Sequence, residues 1–196
     1  MIDDGRAGLP PRYAYLGPEG TFTEAALRQV ADEQQADFLP CTDVPAALDM
    51  VRTGVAEYAV VPIENSVEGG VNATLDTLVT GSPLMIVGEM VVPVSFVLAV
   101  RPGTTLGDVR HVATHPHAWA QCRGWVAAHL PSAVHVPATS TAAAAALLAE
   151  DGAPGFEAAL VSGLSARKYG LEPLAEGVAD NPHAVTRFVL VAAAGE

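Results

Sequence analysis

The chain has 196 residues, half of them hydrophobic and 16% charged, which excludes intrinsic disorder and leaves room for a sizeable core without disulfide staples. Its 22 acidic against 10 basic residues give a formal charge of −12, which argues against a nucleic-acid or polybasic membrane surface, since both need a basic face. Cys41 and Cys122 lie far apart and outside any C-x-x-C, so neither a disulfide framework nor a zinc ribbon is indicated.

Residues 1–11 carry Asp3, Asp4 and Arg6 and lack the apolar core of a secretion signal; with the reduced cysteines, this predicts a cytoplasmic protein. Residues 13–16 read as a strand, followed by the turn Gly17-Pro18-Glu19-Gly20. Thr21-Phe22-Thr23-Glu24 matches a capping box and opens a helix running toward Val30. A strand over 37–41 follows, then a helix capped by Thr42 or Asp43 with Pro45 in its first turn. Residues 58–63 form a buried-type strand, 64–70 a polar loop, and a helix continues through Leu75 and Leu78. The apolar stretch 84–100 contains Glu89, Pro93 and Ser95 and is β-branched; it reads as two strands and not as a membrane span. Strands at 110–114 and 134–136 flank a helix over 115–129. Thr139–Thr141 cap an Ala-rich helix to Glu150. A strand at 158–161, a helix at 164–169 ended by Gly170 and a last strand at 185–192 complete the chain. This βα alternation predicts an α/β protein with largely parallel sheets. Breaks at Pro93, Gly103 and 152–155 suggest two lobes: roughly 1–93 with 166–196, and 94–165.

Four junctions rich in hydroxyls, amides and glycine precede helices, at 17–23, 64–70, 114–117 and 139–141. Each offers free backbone N–H groups that suit carboxylates or phosphates, and for any one of them helix capping alone is a sufficient account. The segment Asp180-Asn181-Pro182-His183-Ala184-Val185-Thr186-Arg187-Phe188 places an arginine inside an apolar strand. Arg187 there lies either at an exposed edge or paired with an anion, which is a ligand or an internal carboxylate. No metal site is predicted, because His115-Pro116-His117 lacks the i, i+4 spacing and a third ligand. There is no nucleotide fingerprint and no nucleophile elbow around Ser66.

The motifs that carry identity are Tyr15-Leu16-Gly17-Pro18-Glu19-Gly20-Thr21-Phe22-Thr23, Val61-Pro62-Ile63-Glu64-Asn65-Ser66-Val67-Glu68-Gly69 and Thr74-Leu75-Asp76. They continue with Thr114-His115-Pro116, Ala120-Gln121-Cys122, Ser140-Thr141-Ala142, Lys168-Tyr169-Gly170-Leu171 and Thr186-Arg187-Phe188. In this order, across residues 13–190, the chain resembles the prephenate dehydratase family. The resemblance implies two α/β lobes similar to type II periplasmic binding proteins, with the active site in the cleft between them. It implies conversion of prephenate to phenylpyruvate, water and carbon dioxide in phenylalanine biosynthesis, without cofactor or metal, in a homodimer. Arogenate stays open as a substrate. Two departures are His117 where members often have Gln, and Ala184 where they often have Asn. Many members continue into a phenylalanine-binding ACT domain, and only eight residues follow Phe188 here, too few for one.

The resemblance maps the essential threonine onto Thr186, the hydrogen-bond donor to the departing hydroxyl. Arg187 is assigned provisionally to substrate binding, Phe188 to an apolar wall, and Glu64, Asn65, Ser66, Ser140 and Thr141 to further contacts. Glu64, Glu68 or His115 is the ultimate proton source. Two other functions fit the architecture: a non-aromatising prephenate decarboxylase, which lacks the motif threonine, and a non-catalytic module that binds small carboxylates.

Overall fold

The computed structural model describes residues 9–150, 152 and 154–195. The expected acidic N-terminal segment lies largely outside them. Two mixed sheets organise the described chain. The first contains β1 (Arg12–Leu16), β2 (Asp37–Cys41), β3 (Tyr58–Asn65), β4 (Gly69–Gly70), β5 (Leu84–Pro93) and β11 (Val185–Ala193), in the order β2-β1-β3-β11-β5 with β4 on β3. The second contains β6 (Val97–Val100), β7 (His111–Thr114), β8 (Val134–Pro137), β9 (Ala158–Val161) and β10 (Glu172–Glu176), in the order β10-β6-β9-β7-β8.

The α/β class expected from the sequence is found, but the sheets are not largely parallel. β1 pairs in parallel with β2 and β3, and β7 with β8 and β9. The pairings of β11, β6 and β4 are all antiparallel. The reason is the crossover between sheets: β11 returns from the second sheet and enters the first from the opposite end. The boundary near 166 also falls differently. β10 pairs with β6, so the chain stays in the second sheet through residue 176.

Helices α1 (Phe22–Leu27), α2 (Val44–Arg52) and α3 (Asn72–Leu78) accompany the first sheet. Thr21 caps α1, accepting the Glu24 N–H. The carboxylate of Glu24 reaches one residue beyond a regular capping box, to the N–H of Gly20 at 2.6 Å. Asp43 caps α2, with Pro45 in the first turn. Val44, Ala47, Leu48 and Val51 recur at helical spacing and bury against Ala14, Ala59, Val61, Val189 and Val191 of the sheet.

Around the second sheet lie α4 (Pro116–Gln121), α5 (Arg123–His129), α6 (Thr141–Ala149) and α7 (Gly163–Lys168). Ser140 caps α6 and Ser162 caps α7. α6 buries Ala144, Ala145 and Leu148 against Ala99, Ala159 and Val161. Small residues there let helix and sheet approach closely. The single helix expected over 115–129 is broken at Cys122, whose φ of −120° and ψ of 7° leave helical geometry. A carboxylate from elsewhere in the chain stabilises the restart: Asp180 accepts the N–H groups of Gly124 and Trp125 at 2.9 and 3.0 Å.

Two segments connect the lobes, between β5 and β6 and between β10 and β11. They run side by side, bonded through Val94 N–H to Ala184 C=O at 2.8 Å and Val178 N–H to Phe96 C=O at 3.1 Å. No described helix is long and apolar enough to cross a membrane.

Candidate active site

Between the lobes lies a cleft of about 500 Å³, within the size range of small-molecule sites. Its floor is the start of β11, where period-two alternation decides which side chains enter. Thr186 and Phe188 face inward and are buried, and both line the cleft. Arg187 between them faces the other side.

Thr186 and Asn65 are register partners on β11 and β3. The Asn65 carboxamide oxygen accepts the N–H groups of Val67 and Glu68 at 2.8 and 3.3 Å. That fixes the amide's orientation, so its Nδ2 donates to Thr186 Oγ1 at 2.9 Å. Because the threonine oxygen accepts from Asn65, its own proton is left to point elsewhere.

The remaining walls come from the hydroxyl-rich junctions. Gly17, Pro18, Thr21 and Thr23 come from the β1–α1 turn, and Thr139, Ser140 and Thr141 from the start of α6. Phe22 and Phe96 meet edge-to-face across the lobes, with centroids 5.6 Å apart. Together with Phe188 they supply an aromatic lining. His115, His117, Gln121 and Glu68 line the same cleft. His115 Nδ1 accepts the His117 N–H at 3.3 Å, which places the proton of the neutral ring on Nε2. Burial, followed by the neighbouring His117, holds the His115 pKa below its ordinary value.

Three expected contacts are not in the cleft. The Arg187 guanidinium is exposed and grips Glu89 through two bonds of 3.0 Å and Glu64 through one of 2.7 Å. The pairing holds the Glu89 carboxyl below the usual range. The provisional assignment of Arg187 and Glu64 to substrate contact is therefore corrected: both lie outside the cleft lining, and Arg187 forms the internal pair that the sequence left open. Ser66 is also redirected. Its Oγ accepts the Val185 N–H at 2.9 Å while its own N–H donates to the Val185 carbonyl, stapling the β3–β4 turn to β11. Asn65, Ser140, Thr141, Thr186 and Phe188 are brought together.

Sequence reasoning gave no role to Gln121, Phe22 or Phe96. The available signal was Gln121 beside Cys122 in a recognisable segment and Phe22 just inside a cap. Nothing local marks Phe96, which enters only because it lies in a crossing segment.

The family model for prephenate dehydratase matches residues 13–196. The chain belongs to the prephenate dehydratase family. A prephenate dehydratase of Mycobacterium sp. (strain JLS) is 51% identical over 191 residues, spanning 92% of this chain and 59% of that protein. A solved prephenate dehydratase from Arthrobacter aurescens, crystallised with L-Phe, is 56% identical with a TM-score of 0.88, over 94% of this chain and 60% of that one. A solved protein described as a novel type of quorum quenching acylase is 33% identical with a TM-score of 0.81, over 94% of this chain and 65% of that one. The chain thus spans about three-fifths of the length of the prephenate dehydratases it matches.

Proposed function

We propose that this chain carries out the decarboxylating dehydration of prephenate to phenylpyruvate in phenylalanine biosynthesis. The observation that carries the reading is the Thr186 hydroxyl, set in the cleft with its oxygen occupied by Asn65 Nδ2. Loss of carbon dioxide from the ring pushes electrons toward the opposite carbon and expels its hydroxyl. Aromatisation drives the reaction, and the hard part is the leaving group. Thr186 donates its proton in a hydrogen bond to that oxygen, an interaction that strengthens as hydroxide departs.

The full proton needs a second source. Glu64 is engaged by Arg187 and Glu68 by His117. His115 is the remaining group among the three; its neutral ring donates a hydrogen bond from Nε2 to the departing oxygen, and the full proton comes from solvent. Phe22, Phe96 and Phe188 form a wall that favours the dispersed charge of the decarboxylating ring over the localised charge of the carboxylate. Ser140 and Thr141, at the start of α6, contact the pyruvyl end.

The protein is further read as cytoplasmic, in keeping with two free, buried cysteines, and as a homodimer. The two tryptophans are used internally and do not supply a dimer surface. Trp119 and Trp125 stack on His135 and His129 at 4.6 and 4.3 Å and pack against the core. The edge strand β5 instead exposes Met85, Ile86, Val87 and Val91, an apolar edge suited to a second copy.

Product analysis after incubation with prephenate tests the function. Phenylpyruvate is expected. A dihydro-hydroxyphenylpyruvate would mark a non-aromatising decarboxylase, and no turnover with tight binding would mark a carboxylate-binding module. Hydrolysis of an acylated amine in place of prephenate turnover would favour the acylase chemistry named for the 33% identical relative.

A further inference from the structure

The substrate in this reading carries two carboxylates, while the protein is strongly anionic and its distant charges are screened within about 8–10 Å. Binding needs N–H and hydroxyl donors or cations inside the cleft. Among the described residues no Arg or Lys lines it. Arg28 is held by Glu24 and Glu33, Arg187 by Glu64 and Glu89, and Lys168 by Glu19. Arg52 and Arg101 donate to backbone carbonyls. Among the described residues, the lining side chains able to carry positive charge are therefore His115 and His117.

These two differ. His115 is half-buried and its Nδ1 is occupied by a backbone N–H. Its depressed pKa, caused first by burial, keeps it neutral near pH 7. His117 is open to solvent, with its side chain 63% exposed. Its Nδ1 lies 2.6 Å from Glu68 Oε1. Glu68 sits on the β3–β4 turn of the first lobe, and His117 in the first turn of α4 in the second. The contact therefore spans the cleft, and His115, with ring centroids 5.0 Å apart, is the other titratable neighbour.

We propose that His117 binds a substrate carboxylate and that Glu68 holds its place in the empty cleft, so that an entering carboxylate replaces the Glu68 carboxylate on the imidazole. The inference rests on the dehydratase reading for the identity of the dianion. It assigns a use to the histidine that stands where family members often have Gln.

A displaced placeholder and a plain tie between lobes predict opposite signs. If Glu68 competes with substrate, removing it improves binding, whereas removing His117 weakens it. If the pair only holds the lobes together, both removals act in the same direction. The experiment measures KM for prephenate, and Kd by calorimetric titration with prephenate, for wild type, His117→Gln, Glu68→Gln and the double variant. Circular dichroism confirms folding, and His117→Asn serves as a second variant. His117→Gln is expected to raise both constants about tenfold, the loss of one charge-assisted hydrogen bond. Glu68→Gln is expected to lower them about threefold, and to do little once His117 is gone. Unchanged constants in His117→Gln, or constants raised by both single variants, would overturn the proposal. Absence of phenylpyruvate with wild type would instead overturn the activity, and the titrations would still decide the role of His117. If wild type does not bind prephenate either, both ideas fall.

Discussion

Replacing Thr186 by valine is the sharpest test of the cleft's chemistry. Valine keeps the shape and β-branching of threonine, so β11 and its pairing with β3 and β5 should persist. Thr186 is only 8% exposed, and its hydroxyl oxygen accepts the 2.9 Å bond from Asn65 Nδ2. Losing it frees one amide N–H at the edge of a wet cleft, where water can replace the partner, so the stability cost is about 1 kcal/mol. The rate effect is far larger. A donor that meets developing negative charge typically contributes about 10²–10³ in kcat, or about 2.7–4 kcal/mol. Thr186→Val should therefore lose kcat by that factor while the Kd for prephenate moves little. Thr186→Ser, which keeps the hydroxyl, should retain most of the rate. Stopped assays for phenylpyruvate, with calorimetry for binding, separate the two quantities. A folded Thr186→Val protein with wild-type kcat would remove the hydroxyl from the mechanism.

Four further outcomes follow from the geometry. Asn65→Asp keeps acceptors for the Val67 and Glu68 N–H groups but turns a donor to Thr186 into an acceptor; the threonine proton is drawn away from the cleft, and kcat should fall about tenfold or more with little loss of melting temperature. Arg187→Leu should leave KM unchanged. Because Arg187 lowers the Glu89 pKa in the fold, its stabilisation is present above the ordinary carboxylate range and fades as pH falls, so the melting curves of variant and wild type should converge in acid. Burial, then Asp180, pushes the Cys122 thiol up to about 12, and Cys122 is fully buried; iodoacetamide at pH 8 should label it only after unfolding. Gly20→Ala places a Cβ 2.8 Å from Ser165 Oγ at a φ of +87°, which should cost about 1–3 kcal/mol, read as a lowered melting temperature.

Much of the local structure could be read from short-range rules, because caps and periodicity act over a few residues. Asp43 with Pro45 opens α2, and Ser140 opens α6. The helix expected to reach Val30 ends at Leu27, and Val30 is exposed. The break at Cys122 was illegible because its cause, Asp180, lies 55 and 56 residues away from the N–H groups it caps. β10 went unread because Pro173 and the polar ends of Glu172–Glu176 do not mark a strand. At the site, Thr186, Asn65 and the hydroxyl junctions were legible from motif and helix-start chemistry. Arg187 was misplaced for a simple reason: its neighbours Thr186 and Phe188 enter the cleft, so strand alternation sends it outward to Glu64 and Glu89. The partnership of Glu68 with His117 depends on how the lobes meet, and no spacing within either segment encodes it.

The paired crossing segments have a consequence for motion. Two strands bonded at Val94–Ala184 and Phe96–Val178 bend together more readily than they shear, so they define an axis about which one lobe can swing. Thr186 stands two residues beyond Ala184, close to that axis, and its partner Asn65 belongs to the same lobe. Points near a pivot travel short arcs. Opening and closing of the lobes would carry α6 and α4 through the larger displacement, while the Thr186–Asn65 bond kept its length. Admission of a ligand and alignment of the reacting hydroxyl are thereby assigned to different radii of one movement.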